Sequence, residues 1–299
     1  MVYHYTTIDT LFSILASYKA SEDKDYFTFW ASNALDQNDT EELSLSIDDL
    51  RDVILEVEKE KEEKIRALPT VKLSQALYWV PIGKSLNMAT DKLEIFLKES
   101  PNTPFTLSFS RNKDSLLMWS MYANNGNGIC LVFNLESLSS LQTNFLVISN
   151  KVIYDKEKTK YIEIVRLIYD DYLKQFEHDT TFCRDKIFNE GCYTYKTLLR
   201  LITPFVKNKA FEPEQEWRII FYGKNLNDLV YQRITGNMNI VHYIKVGIPI
   251  SAIEKIIIGP CADYDRVMNL LLKEAKNCAI EKMSNSDFYV KSAVPFRVY

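Results

Sequence analysis

The apolar pattern at the start of the chain changes period once. Val2, Tyr3 and Tyr5 form a short extended run, whereas Leu11, Phe12, Ile14 and Leu15 recur at helical spacing. Between them, Thr6, Thr7 and Asp9 supply oxygens of the kind that cap a helix. The pattern predicts a strand over residues 2–5 leading into a capped helix, with His4 near the strand's carboxyl end. Residues 26–31, Tyr-Phe-Thr-Phe-Trp-Ala, predict a second strand. It breaks at the Asn- and Asp-rich loop of residues 32–39, where side chains can bond their own backbone. From about residue 40 to residue 64, apolar positions such as Leu43, Ile47, Leu50 and Ile54 thin out into Glu-Lys repeats. This predicts a long helix with a solvated face. Shorter helices are expected over residues 71–79 and 91–99.

The cleanest alternation lies in residues 104–110. Phe105, Leu107 and Phe109 face one way, and Thr106, Ser108 and Ser110 the other. Three small hydroxyl residues on one face leave room and hydrogen-bonding capacity for a polar ligand. After a turn at residues 111–114, residues 115–123 take helical periodicity, with Trp119 and Tyr122 one turn apart. Asn124, Asn125 and Gly126 tolerate positive φ and close that helix. Residues 129–133 are apolar throughout and predict a central strand. Further along, short strands are expected at 147–148 and 151–154, and helices at 158–176 and 193–208, with residues 188–192 as a connection. Strands at 240–246 and 253–260, a helix at 264–278 and a closing strand near 288–291 complete the pattern.

An acidic cluster, Glu212, Glu214 and Glu216, runs straight into the bulky strand Trp217, Ile219, Phe221. Period-2 geometry puts Glu214 and Glu216 on one face at the strand's open end. Two carboxylates there repel unless something cationic or proton-sharing meets them. In a structural reading, Glu214 pairs with a surface Lys and Glu216 with Arg218 or a neighbour. In a chemical reading, the pair belongs to a site.

Composition narrows the function classes. Asp and Glu number 40 against 36 Lys and Arg, for a net charge of −4. Charge-driven, sequence-independent coating of nucleic acid is therefore disfavoured. The five Cys form no CxxC pair and only three His are present, so no metal site is expected. The amino terminus lacks a signal pattern and no apolar run reaches about 18 residues, so a cytoplasmic setting without membrane contact is expected. No repeat or linker interrupts the chain. One domain over residues 1–299 is expected, with a helical insertion at about 40–100 and further helices at about 158–208.

Taken in order, His4 in Tyr3-His4-Tyr5-Thr6, Ser108-Phe109-Ser110, Tyr122 and Glu214-Gln215-Glu216 resemble the ADP-ribosyltransferase superfamily, in its His-Tyr-Glu branch. The opening residues are similar to bacterial toxins of that branch. Most of the chain also resembles a large, little-characterised bacterial family. Its landmarks are the His-Tyr-Thr start, Asn38-Asp39, Phe-Ser before Met118-Trp119, and Glu-Gln-Glu-Trp-Arg.

The resemblance implies an α+β fold with a mixed, largely antiparallel split β-sheet core and helical insertions. It implies NAD as substrate and no metal, with Glu216 stabilising an oxocarbenium-like transition state and Glu214 engaging the acceptor. His4 would hydrogen-bond the adenosine ribose, Tyr5 and Thr6 beside it would belong to the NAD site, Tyr122 or another nearby aromatic would stack on nicotinamide, and Ser108 and Ser110 would line the pocket. RNA or DNA, otherwise protein, is the implied acceptor, in a toxin or anti-phage setting with an antitoxin protein as partner. Two alternatives stand beside it: an inactive nucleotide-binding or partner-docking module, and a metal-independent RNase using His4 and Glu216.

Overall fold

The structure, a computed structural model, describes residues 1–36, 42–68, 70, 72–76, 104–139, 146–154, 158–177, 184–223, 229–234 and 240–296. The Asn38-Asp39 loop and the helix expected over 91–99 lie outside these residues, as do residues 71 and 77–79 of the helix expected over 71–79, of which Leu73–Ala76 is helical. The fold is α+β with a mostly antiparallel sheet. Its strands in chain order are β1 (Val2–Thr6), β2 (Tyr26–Asn33), β3 (Phe105–Ser110), β4 (Ile129–Phe133), β5 (Leu146–Lys151) and β6 (Ile153–Tyr154). They continue as β7 (Val206–Lys207), β8 (Glu216–Tyr222), β9 (Tyr231–Ile234), β10 (Ile240–Pro249), β11 (Ile253–Ile258) and β12 (Tyr289–Lys291).

The chain divides into two compact units. The first comprises Met1–Asn33, Phe105–Lys151 and Glu212–Tyr299, and holds a ten-stranded sheet. Along it the order is β12-β11-β4-β1-β3-β2-β10-β9, with β8 paired to β3 and β5 to β8. Among the described residues, only β11 and β12 pair in parallel within this sheet. β3 is where the sheet forks. One edge of β3 pairs along its length with β8, while the other is shared, Ser110 meeting Tyr3 of β1 and Thr106 meeting Ser32 of β2. Ser108 lies between those two pairings.

Alternation then sorts the strands into two faces. Phe105, Leu107 and Phe109 join Phe29, Leu131 and Ile219 in the main core. Helix Ile8–Ala20 covers that core with Leu11, Ile14 and Leu15, and helix Tyr264–Asn277 with Val267, Leu271 and Ala275. The first helix begins at Thr7, whose hydroxyl accepts the Thr10 N–H at 3.1 Å, as the capping pattern predicts. On the opposite face, helix Leu116–Tyr122 buries Met118 and Trp119 against Tyr3, Tyr5 and Val132. Asn124, Asn125 and Gly126, with φ of 49°, 50° and 83°, turn the chain from this helix into β4.

The second unit, Ala34–Pro104 with Val152–Phe211, is built on helices Glu42–Glu60, Lys158–Lys174 and Arg184–Ile202. The last of these corrects the sequence reading, since residues 188–192 are helical rather than a connection. Gly191 costs about 1 kcal/mol in a helix, yet here it is buried within one, and packing outweighs its local preference. Val53, Ile54 and Val57 pack with Val165, Tyr169 and Leu198. Inside this core the buried Glu58 accepts the Ser74 N–H at 2.9 Å, the Ser74 hydroxyl at 2.6 Å and the Tyr169 hydroxyl at 3.1 Å. Glu58→Ala orphans three donors and is expected to cost about 2–4 kcal/mol. Glu58→Gln keeps an acceptor and is expected to cost less. Equal losses for the two in urea unfolding would show that these bonds are not what matters.

Candidate active site

β8 begins at Glu216 because the residue before it is twisted out of the strand. Gln215 has φ of 46°, the left-handed region, and follows a 3-10 turn over Lys209–Glu214 that contains Pro213. Glu214 therefore lies on the turn and not in the strand, so strand alternation does not relate it to Glu216. The turn is pinned to the residues that follow β3. The Ser110 hydroxyl donates to the Glu214 carbonyl at 2.6 Å and accepts the Asn112 N–H at 3.0 Å. Asn112 Nδ2 donates to the Pro213 carbonyl at 2.8 Å, and the Arg111 N–H to the Gln215 carbonyl at 2.8 Å. Tyr5 locks the same stretch, its hydroxyl donating to the Asn112 carbonyl at 2.8 Å and accepting the Ser115 N–H at 3.0 Å. Ser110 and Tyr5 thus spend their hydroxyls on positioning the acidic turn.

The side chains so placed form a compact charged group. Glu216 and Arg218 point to the same side of β8 and are both buried, Arg218 with 1% of its side chain exposed. Arg218 Nε donates to Glu216 Oε1 at 2.8 Å and Nη2 to Oε2 at 3.0 Å, a two-pronged bond that fixes the carboxylate's plane. Tyr122, at the end of its helix, donates its hydroxyl to Glu214 Oε1 at 2.7 Å while the residue stays 40% exposed. Burial foremost, then the bond to Glu214 and the nearby carboxylates, push the Tyr122 hydroxyl well above its ordinary value, with Arg218 opposing. It remains a proton donor at any physiological pH. Two carboxylates and one guanidinium leave these three groups with one excess negative charge, suited to a developing cation.

His4 is placed differently. Tyr3 pairs with Ser110 and Ser110 with Glu216, so those residues share a face and His4 points to the other. Its ring meets Phe29 and Phe109 edge-on, at 5.8 and 5.7 Å between centroids. Nδ1 lies 3.0 Å from the Ser108 carbonyl, at the position where the fork leaves β3 between its two partners. A carbonyl only accepts, so Nδ1 carries the proton and Nε2 keeps a lone pair in the neutral ring. Burial pushes the His4 pKa down, with the Ser108 bond opposing. The unfolded chain therefore takes up a proton below the ordinary value of 6.5 that the folded chain refuses. Stability from this group is full above that pH and declines as pH falls. His4→Asn, which keeps a donor for the carbonyl, is expected to flatten the decline in melting temperature between about pH 7.5 and about pH 5. An unchanged slope would remove His4 as its source.

Of the residues singled out from sequence, the structure brings together Tyr5, Ser110, Tyr122, Glu214 and Glu216. Ser108 faces the same side, paired with Arg218, and Thr6 is buried where β1 pairs with Ile129. Near Ser108, the Thr106 hydroxyl is buried with no hydrogen-bond partner among the described residues. Arg218 was legible only as one possible partner of Glu216. Nothing in the sequence announced that it is fully buried or that it binds through both prongs. Among the described residues no group of three or more His, Cys, Asp or Glu is arranged to hold a metal, and no helix is long and apolar enough to cross a membrane.

No curated protein and no solved structure matches the chain. Residues 118–219 match a family model described as "Protein of unknown function (DUF2971)", a span that takes in Tyr122, Glu214, Glu216 and Arg218 and leaves out His4.

Proposed function

We propose that this protein is an NAD-dependent ADP-ribosyltransferase with the fold of that superfamily, and that Glu216 is its central catalytic group. The observation that carries the reading is the buried Glu216 carboxylate at the head of β8, held in one plane by Arg218 and flanked by the Tyr122–Glu214 bond. Each carboxylate oxygen has lone-pair capacity beyond one guanidinium bond, so Glu216 can also accept a ribose hydroxyl. As the glycosidic C–N bond breaks, its electron pair leaves with nicotinamide and positive charge develops on the ribose. The excess negative charge of the group stabilises it. The acceptor then forms a bond to the same carbon and gives up its proton, for which Glu214 is the nearby base. The exposed Tyr122 offers its ring to nicotinamide, whereas His4, on the other face of the sheet from Glu216, takes no part in this reading. A toxin or anti-phage role belongs to this reading through the same resemblance.

One observation favours a second reading, a nucleotide-binding module without turnover: both oxygens of Glu216 already have a partner in Arg218. An RNase pairing His4 with Glu216 gains no support, because the two side chains leave opposite faces of the sheet. The deciding experiment is nicotinamide release from NAD by the full chain, with and without RNA, DNA or cell lysate. Release that requires Glu216 supports the transferase. Nucleotide binding without release under any of these conditions overturns it in favour of the binding module.

A further inference from the structure

Strands β2, β10 and β9 carry a row of aromatic rings that the chemistry above does not use. Register sets it out: Lys245 is opposite Trp30, and Tyr243 is opposite Ser32 on one side and Tyr231 on the other. Trp30 stacks on Tyr243 with centroids 4.5 Å apart and planes at 25°, and Tyr243 on Tyr231 at 5.6 Å and 24°. The Lys245 ammonium stands 4.3 Å from the Tyr231 ring centre, and the Arg233 guanidinium 5.7 Å from that of Trp30. The outer members are open to solvent, Trp30 by 43% and Tyr231 by 44%. The opposite face of β2 and β10, with Phe27, Phe29, Ile244 and Val246, is what anchors these strands in the core.

The charge of this face runs against that of the chain. Alternation adds Tyr26, Thr28 and Gly247 to it, and β2, β9 and β10 place no carboxylate there. In a protein with more acidic than basic residues, three strands thus present aromatic rings and two cations without a counter-charge of their own. Cross-strand stacking alone stabilises a sheet, but it accounts neither for an exposed Trp nor for the missing carboxylates. Planar rings with cations at their faces suit planar bases joined by phosphates. The bases must be unpaired to offer their faces, and the net charge of −4 disfavours coating of a duplex. This face is also the Glu216 face, since Ser32 pairs with Thr106, two positions from Ser108, which pairs with Arg218.

We propose that this sheet face binds a single-stranded nucleic acid, with bases stacking on Trp30 and Tyr231 and phosphates held by Arg233 and Lys245. The binding rests on the face alone and not on the transfer chemistry. Combined with the transferase reading, it makes the bound strand the acceptor. The test is fluorescence anisotropy of the full chain, without NAD, on a labelled single-stranded oligonucleotide of about twelve nucleotides, as DNA and as RNA, with the matching duplex beside them. A single strand is expected to bind more tightly than the duplex. Trp30→Ala and Tyr231→Ala are each expected to weaken it about five- to a hundredfold, and Trp30→Phe less. Arg233→Gln and Lys245→Gln are each expected to lower the salt slope by about one. The proposal is overturned if neither single strand binds, if the duplex binds as well, or if Trp30→Ala with Tyr231→Ala leaves binding unchanged. Unchanged far-ultraviolet circular dichroism checks that the variants are folded. Because no NAD is present, strand binding can fail while nicotinamide release succeeds, and the reverse.

Discussion

Glu216→Gln is expected to lower nicotinamide release from NAD by about a hundred- to a thousandfold, the usual cost of removing one preorganised electrostatic stabiliser. The substitution keeps the shape of the side chain and removes the charge that the developing cation requires. It also leaves Arg218 facing an amide, so some stability is lost along with rate. Glu216→Asp separates the two effects. Aspartate keeps the charge but withdraws it by one methylene, and misplacement of about 1 Å can cost about a hundredfold in rate, so release is expected to fall while most of the ion pair's stability survives. Both variants are read by initial release rates beside a denaturant midpoint. A folded Glu216→Gln protein that releases nicotinamide at the wild-type rate would end the transferase reading.

The second large effect concerns the partner. Arg218→Met is expected to destabilise the first unit by about 3–5 kcal/mol, because it leaves the Glu216 carboxylate buried without its cation. The cost belongs to the broken pair, not to the absence of a pair. Replacing both residues, Glu216→Leu with Arg218→Met, is therefore expected to recover most of the stability lost by Arg218→Met alone. The experiment is urea unfolding of the two single variants and the double. Losses that simply add would mean that the two side chains are not coupled, contrary to their bonds at 2.8 and 3.0 Å. Recovery of stability without recovery of nicotinamide release would show that the pair is retained for its chemistry and not for the fold.

Most of the local structure was legible in the sequence, for reasons that act over a few residues. The Thr7 cap, the alternation of β3, the apolar run of β4 and the Asn-Gly exit before it all depend on near neighbours. Where neighbours misled, packing had overridden them. Residues 188–192 were expected to be a connection, yet helix Arg184–Ile202 runs through them. The short, polar β9 gave no apolar signal and forms because β10 offers it an edge, Tyr231 to Tyr243.

The candidate site divides along the same line. Residue type and period alone identified an acidic approach to a buried strand and a hydroxyl-bearing strand face, which require no knowledge of distant contacts, while His4 and Tyr122 became candidates only through the family resemblance. Which of them meet was decided by register. Pairing Tyr3 with Ser110 and Ser110 with Glu216 puts Tyr5 on the carboxylate's side and His4 on the other, and a slip of one residue would reverse both. The left-handed Gln215, the burial of Arg218 and the stacked row from Trp30 to Tyr231 likewise exist only once strands far apart in sequence are side by side. A periodic pattern fixes which face of its own strand a residue takes. It carries no information about the partner strand, and tertiary structure alone supplies that.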